Sequence, residues 1–120
     1  MELSFWTYAT QNPDEIAVVD DDGTQTTFGE LLAQSNALVH GLRKHGLKPR
    51  DAVAFVLPNC TEVLALFMAA AQAGWYVTPI NWHLAAPEIA YIIGDCKAKA
   101  VVCHHRLEEI SRAALDEAGI

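Results

Sequence analysis

Ala73-Gly74-Trp75-Tyr76-Val77-Thr78-Pro79-Ile80-Asn81 carries the chain from a helix into a strand. Upstream, Leu64, Phe67, Met68 and Ala71 mark a helix that runs up to Gly74. Residues 75–78 are aromatic or β-branched, and 75–79 read as a strand. Pro79 closes it, because proline has no N–H to give to a ladder. A helix that feeds a short apolar strand is the repeating step of an α/β fold.

The same step recurs on both sides. Residues 51–57, Asp-Ala-Val-Ala-Phe-Val-Leu, form a nearly continuous apolar run, as in a strand buried on both faces. Pro58-Asn59 ends it, and Asn59 with Glu62 has the spacing of a helix-capping pair. Downstream, residues 87–96 read as a short helix with Ile89, Ile92 and Ile93 on one side. Residues 98–103 read as a third buried-type strand. Residues 107–118 read as a helix with Leu107, Ile110, Ala114 and Leu115 inward. Three apolar strands separated by helices imply βαβ crossovers and a three-stranded parallel sheet covered by helices.

The first part of the chain reads differently. Residues 3–10 suit a short helix with Ser4 near its start, ended by Asn12-Pro13. Residues 16–20 and 24–28 read as two strands joined by a two-residue turn at Asp22-Gly23. Thr27 and Glu30 have capping-box spacing for a long amphipathic helix. Its stripe is Leu31, Leu32, Ser35, Leu38, Val39 and Leu42. Arg43, Lys44 and His45 load its last turn, and Gly46 caps it. The chain therefore divides into residues 1–48, with helix, hairpin and amphipathic helix, and residues 49–120, a βαβαβα subdomain.

Composition narrows the function. With 52% hydrophobic residues in 120, the chain can build one modest core and is not disordered. The formal charge of −7 argues against binding to nucleic acid or to anionic lipid. Cys60, Cys96 and Cys103 are odd in number and lack scaffold spacing, which fits a reducing, cytoplasmic setting. Met1-Glu2-Leu3-Ser4-Phe5-Trp6 has no basic region and no apolar core with a small-residue cleavage site, so no signal peptide is expected here. The longest apolar run, residues 63–71, is far short of the ~20 needed to span a bilayer.

Several segments together resemble the opening part of the adenylate-forming enzymes, which include the acyl-CoA synthetases and aryl-CoA ligases of the AMP-binding family. Ala73-Gly74 to Pro79 and Asn81 is similar to the family's Ala-Gly-x-x-x-x-Pro-x-Asn. Thr26-Thr27-Phe28-Gly29-Glu30-Leu31 resembles its Thr-Tyr-x-Glu-Leu, with Phe28 for Tyr. Gly46-Leu47-Lys48-Pro49-Arg50-Asp51-Ala52-Val53 resembles its Gly-Val-x-x-Gly-Asp-x-Val, with Arg50 for Gly. Leu57-Pro58-Asn59-Cys60-Thr61-Glu62 and Asn81-Trp82-His83-Leu84-Ala85-Ala86-Pro87-Glu88 match two further motifs in the same order. Trp82-His83 leans toward fatty-acid or aryl-CoA ligases. Two departures have physical consequences. Ala85 replaces a Thr or Ser that would cap the next helix, and Arg50 implies a differently shaped turn.

The resemblance implies a parent enzyme that converts a carboxylate and ATP to an acyl-adenylate and passes the acyl group to coenzyme A. ATP, Mg²⁺ and CoA are therefore expected of the parent. The family's phosphate loop ending in Lys, its metal-binding Thr-Glu pair, its ribose Asp and its late Lys have no counterpart before Ile120. Nor does a G-x-x-x-x-G-K or G-x-G-x-x-G occur. No catalytic, cofactor-binding or metal-binding residue is expected in this chain. It reads as a scaffold segment whose partner is the remainder of its own polypeptide, with open edges that favour self-association or a domain swap. The other reading is a free-standing small α/β binding or interaction module.

The remaining candidates read as structural. Cys96, Cys103, His104 and His105 lack a C-x-x-C, and neighbouring strand residues face opposite ways. His40 and His45 do not share a helix face. Asp20-Asp21-Asp22-Gly23 opens like a calcium loop but has Gln25 and Leu31 where Gly and Glu are required. Ser4, Ser35 and Ser111 have no evident base. Trp75, Tyr76 and Trp82, with His83, read as core filler or as a patch that other polypeptide covers, rather than as the lining of an acyl channel.

Overall fold

The structure is a computed structural model, and it describes residues 4–119. Leu3, which begins the expected helix 3–10, lies outside the described residues. Ser4 caps α1 (Phe5–Gln11) by accepting the Thr7 N–H at 3.1 Å. The hairpin of β1 (Ile16–Val19) and β2 (Gln25–Thr27) is antiparallel, with Val19 opposite Gln25. Its turn corrects the expected two-residue form. The Gly23 N–H donates to Asp20 C=O at 2.9 Å, and the Asp20 N–H donates to Thr24 C=O at 2.9 Å, so Asp21 to Gly23 form a three-residue loop. A two-residue type I′ turn needs positive φ at both central positions; Gly23 has it (85°) and Asp22 does not. Asp22 instead accepts the Thr24 N–H at 2.9 Å, which holds its carboxyl below the usual carboxylate range.

The returning strand stops at Thr27, not Phe28, because Thr27 is the N-cap of α2 (Phe28–Lys44). The capping box is complete. The Glu30 N–H donates to Thr27 Oγ1 at 3.1 Å, and the Thr27 N–H donates to Glu30 Oε1 at 3.0 Å. Leu31, Ser35 and Val39 are the buried face of α2. The Ser35 hydroxyl satisfies itself on Leu31 C=O at 2.9 Å. His45 occupies the C-cap, and Gly46 (φ 96°) takes the left-handed place just beyond. The Leu47 N–H then reaches back to Leu42 C=O at 3.1 Å and the Gly46 N–H to Arg43 C=O at 2.9 Å, a Schellman closure.

The second part alternates as the apolar runs predict: β3 (Ala52–Val56), α3 (Thr61–Ala73), β4 (Tyr76–Pro79), α4 (Ala86–Asp95), β5 (Ala98–Cys103), a 3-10 turn (His105–Leu107) and α5 (Glu108–Ala118). The three strands are parallel in the order β4-β3-β5, with β3 in the centre. Side chains of β3 alternate between two cores. Val53, Phe55 and Leu57 meet Val39 of α2 and Leu66, Ala69, Ala70 and Ala73 of α3. Ala54 and Val56 meet Ile89 and Ile93 of α4 and Ala114 of α5. The result is a helix–sheet–helix sandwich. No described helix is long and apolar enough to cross a membrane.

Lys99 is an extra residue in β5. Ala52 pairs with Ala98, but Val53 pairs with Ala100. The bulge puts Ala98 and Val101 on the α4–α5 side and leaves Ala100 and Val102 on the other.

Local chemistry departs from the sequence reading at two more points, Asn59 and Arg50, and agrees with it at Ala85. The capping pair expected at Asn59 and Glu62 does not form. Cys60 is the N-cap of α3, and it offers no side-chain cap bond. At Ala85 only half a capping box survives: the Ala85 N–H donates to Glu88 Oε1 at 3.1 Å, and no oxygen returns the bond. Ala85→Ser should therefore raise the unfolding free energy by about 1 kcal/mol, read from urea denaturation. A neutral or negative change would show that the α4 N-terminus is satisfied some other way.

The altered backbone expected at Arg50 is also corrected. Arg50 has φ 74°, the left-handed geometry that glycine adopts freely, and its N–H donates to Gly74 C=O at 2.7 Å. That bond ties the turn before β3 to the end of α3, so an L-residue is held in a strained conformation. Relief of strain outweighs the extra chain entropy of glycine, and Arg50→Gly should stabilise by about 0.5–1 kcal/mol. A lower thermal midpoint would refute this.

Candidate functional site

Parallel strands point their carboxyl ends to one side of a sheet, and that crevice is where open α/β sheets bind ligands. Here β3 leaves through Leu57-Pro58, β4 through Ile80-Asn81-Trp82-His83 and β5 through His104-His105-Arg106. Asn81 Oδ1 accepts the His83 N–H at 3.0 Å in an Asx turn, and the Trp82 and His83 rings lie 3.7 Å apart. The His104 N–H donates to Val56 C=O at 3.2 Å, which extends the β3–β5 ladder by one residue. His104 Nδ1 accepts the Arg106 N–H at 3.1 Å. This bond calls for the ring tautomer that carries its hydrogen on Nε2. The ring of His105 stacks on His104 with centroids 4.2 Å apart.

Two hollows open at this end. One of about 490 Å³ lies between α2, α3 and β5, bordered by Leu38, Leu57, Glu62, Ala65, Val102 and His104. The other, about 270 Å³, is bordered by Pro58, Trp82, His104, Arg106 and Leu107. His104 borders both. The walls are mainly apolar, with few polar groups to orient a ligand. Cys60, at the start of α3, is half-buried. Burial, and secondarily the Glu62 carboxylate, push its thiol above the usual range, so it is a weak nucleophile at neutral pH.

The residues weighed in the sequence fall in separate places. Cys96 ends α4, with its thiol on Ile93 C=O at 3.5 Å. Cys103 sits on the α4–α5 face of β5, while His104 lines the hollows at its end. Among the described residues, no three His, Cys, Asp or Glu side chains gather into a metal-binding group. His40 and His45 are exposed on and just beyond α2. Ser4 is a cap, Ser35 is bonded within its helix, and Ser111 is buried in α5. Trp75 is in the α2–α3 core, whereas Tyr76 is 65% exposed on an outer strand and Trp82 stands over the crevice. The three rings thus serve three different surroundings, and of them Trp75 alone is core filler.

One long-range contact escaped the sequence. The Thr61 hydroxyl, buried at the first turn of α3, donates to Asp20 Oδ2 at 2.7 Å and anchors the end of β1 to α3. The two residues are 41 apart, and no local pattern links them. His104 could have been found by one signal, its place directly after the last residue of a parallel strand.

ATP and Mg²⁺ need clustered N–H donors, positive charge and paired carboxylates. The positive-φ glycines Gly23, Gly46, Gly74 and Gly119 each sit alone in a separate turn. Among the described residues they form no phosphate cradle, and Arg106 is the one guanidinium bordering the two hollows, which is too little by itself to hold a nucleoside triphosphate.

Known proteins share this architecture. A family described as AMP-binding enzyme matches residues 5–119. A long-chain-fatty-acid–CoA ligase, FadD13, of Mycobacterium tuberculosis is 35% identical over 95 residues, covering 78% of this chain and 19% of that protein. A feruloyl-CoA synthase of an Amycolatopsis species is 34% identical over 97 residues, covering 81% and 19%. The crystal structure of the N-terminal domain of FACL13 from Mycobacterium tuberculosis superposes with a TM-score of 0.83 at 31% identity, over 91% of this chain and 28% of that one. The chain thus spans about a fifth of the length of these curated relatives. With the family match running from the first helix to the last, the chain belongs to the AMP-binding, adenylate-forming enzymes and corresponds to their N-terminal region.

Proposed function

We propose that these residues are the scaffold segment of a longer ATP-dependent acid–thiol ligase. The parent would activate a fatty or aryl carboxylate as its adenylate and transfer the acyl group to coenzyme A in the cytoplasm. ATP, Mg²⁺ and CoA would be held by polypeptide outside these residues. The observation that carries this reading is the family match over residues 5–119, in a segment whose described glycines form no phosphate cradle. The named activities of the fatty-acid and feruloyl relatives support the substrate class. Within the segment, residues 1–48 and 49–120 are the two building parts, joined by Val39 in the α2–α3 core. Isolated from the rest, the segment would expose strand edges and tend to self-associate.

Pyrophosphate exchange tests this. The 120-residue chain should show none with a panel of fatty and aryl acids, while the protein from the complete reading frame should exchange with at least one. Turnover by the 120 residues alone, or none by the complete protein with any acid tried, would refute the reading.

A further inference from the structure

We infer that the β5–α5 connection is a proton-sensitive latch. Uptake of a proton by His104 breaks the bond that holds its ring on the Arg106 amide, and the ring then turns within the crevice. The latch goes beyond the ligase reading and does not depend on it.

One side-chain bond holds the ring. His104 is the N-cap of the 3-10 turn, and its Nδ1 accepts the Arg106 N–H at 3.1 Å. The common caps, Ser, Thr, Asp and Asn, accept through an oxygen, which mild acid leaves unprotonated. An imidazole nitrogen accepts only while it carries no hydrogen. Protonation puts a hydrogen on Nδ1, facing the hydrogen of the Arg106 amide. Two donors then oppose each other, and the bond is lost.

The backbone on both sides of the ring is pinned. The His104 N–H donates to Val56 C=O at 3.2 Å, and the Leu107 N–H donates to His104 C=O at 2.8 Å. The Leu107 side chain packs into the α4–α5 core. The chain therefore keeps its path, and the side chain takes up the change. Rotation carries the ring off His105, whose own ring lies with its centroid 4.2 Å away and its plane tilted by 33°. A proton on each ring would add repulsion in the same sense.

The surroundings set the direction of the turn. His104 borders both hollows at the carboxyl end of the sheet. On its own turn the charged or titratable neighbours are His105 and Arg106, and β5 adds Cys103. Helix α3 adds Glu62 across the 490 Å³ hollow. The β4–α4 connection adds His83, stacked on Trp82. Helix α2 brings only Gln34, Ala37 and Leu38. From α5, Glu108 shares a separate hollow with His105 and is paired with Arg112 at 3.0 Å. Glu62 is thus the one carboxylate that borders a hollow with His104, while the Arg106 guanidinium borders the other. A His104 cation is drawn toward α3 and away from Arg106, so the proton narrows the 490 Å³ hollow and widens the 270 Å³ one.

The test is NMR of the histidine rings and the Arg106 amide, on the protein from the complete reading frame. The span from about pH 8 to about pH 5 brackets ordinary imidazole titration. At the upper end the His104 ring should carry its hydrogen on Nε2. On acidification the Arg106 amide should shift with the same midpoint as the His104 ring. His104→Asn puts an oxygen acceptor in the same place and should abolish that shift. His105→Gln leaves the acceptor intact and should keep it. A hydrogen on Nδ1 at the upper end, a His104 ring that stays neutral throughout, or an Arg106 amide that does not follow the ring overturns the inference. So does a shift that survives His104→Asn, or one that disappears with His105→Gln, since either assigns the proton to another group. None of these outcomes bears on pyrophosphate exchange, so the ligase reading stands or falls separately.

Discussion

Leu66→Ala should lower the unfolding free energy by about 3 kcal/mol, measured by urea denaturation. Leu66 is 0% exposed and is the largest side chain that α3 gives to the core, where it meets Val53, Phe55, Leu57 and Val39. Removing it loses the transfer free energy of the deleted carbons and leaves a cavity that close-packed neighbours cannot fill. Leu64→Ala, two residues earlier, is the internal control. Leu64 is 41% exposed, and its loss should cost well under 1 kcal/mol. Equal losses for the two substitutions would mean that α3 presents a different face to the sheet.

Gly74→Val should cost about 2 kcal/mol, because it forces a β-branched residue to φ 79°. Space is not the obstacle. A Cβ at Gly74 would meet only the Pro49 Cβ at 3.7 Å, an ordinary contact. Strain is the obstacle, and Gly74→Asn, which tolerates the left-handed region, should cost clearly less. The conformation matters because Gly74 closes α3 and also accepts the Arg50 N–H. Its N–H and that of Trp75 both reach Ala70 C=O, at 2.8 and 3.0 Å. Thermal melts of the two variants check the ranking. Similar losses for Val and Asn would show that volume, not φ, sets the cost.

Much of this was legible in order along the chain. Capping at Thr27 and Glu30, the left-handed glycines at Gly46 and Gly74, and the three apolar runs all rest on contacts within a few residues. The face of α3 was not legible. Its helix is apolar all round, so periodicity could not separate Leu64 and Phe67, which stay exposed, from Ala65, Leu66, Ala69 and Ala73, which are buried. The small alanines let the helix approach the sheet closely, a preference that shows only once the sheet exists. Arg50 and Lys97 at positive φ were equally hidden, since nothing in either residue type favours that geometry. As for the candidate site, its residues were visible one by one, but not their grouping. His104 meets Pro58 and Trp82 only because three strands end side by side.

From residues alone come the kinds of elements, their succession, most of their ends and the family to which they belong. Each depends on interactions between near neighbours, which a linear pattern records. The order β4-β3-β5, the bulge at Lys99, the Asp20–Thr61 anchor and the shared crevice around His104 come from folding in three dimensions. They depend on which apolar faces meet across long stretches of chain, and side-chain spacing carries no record of that partner.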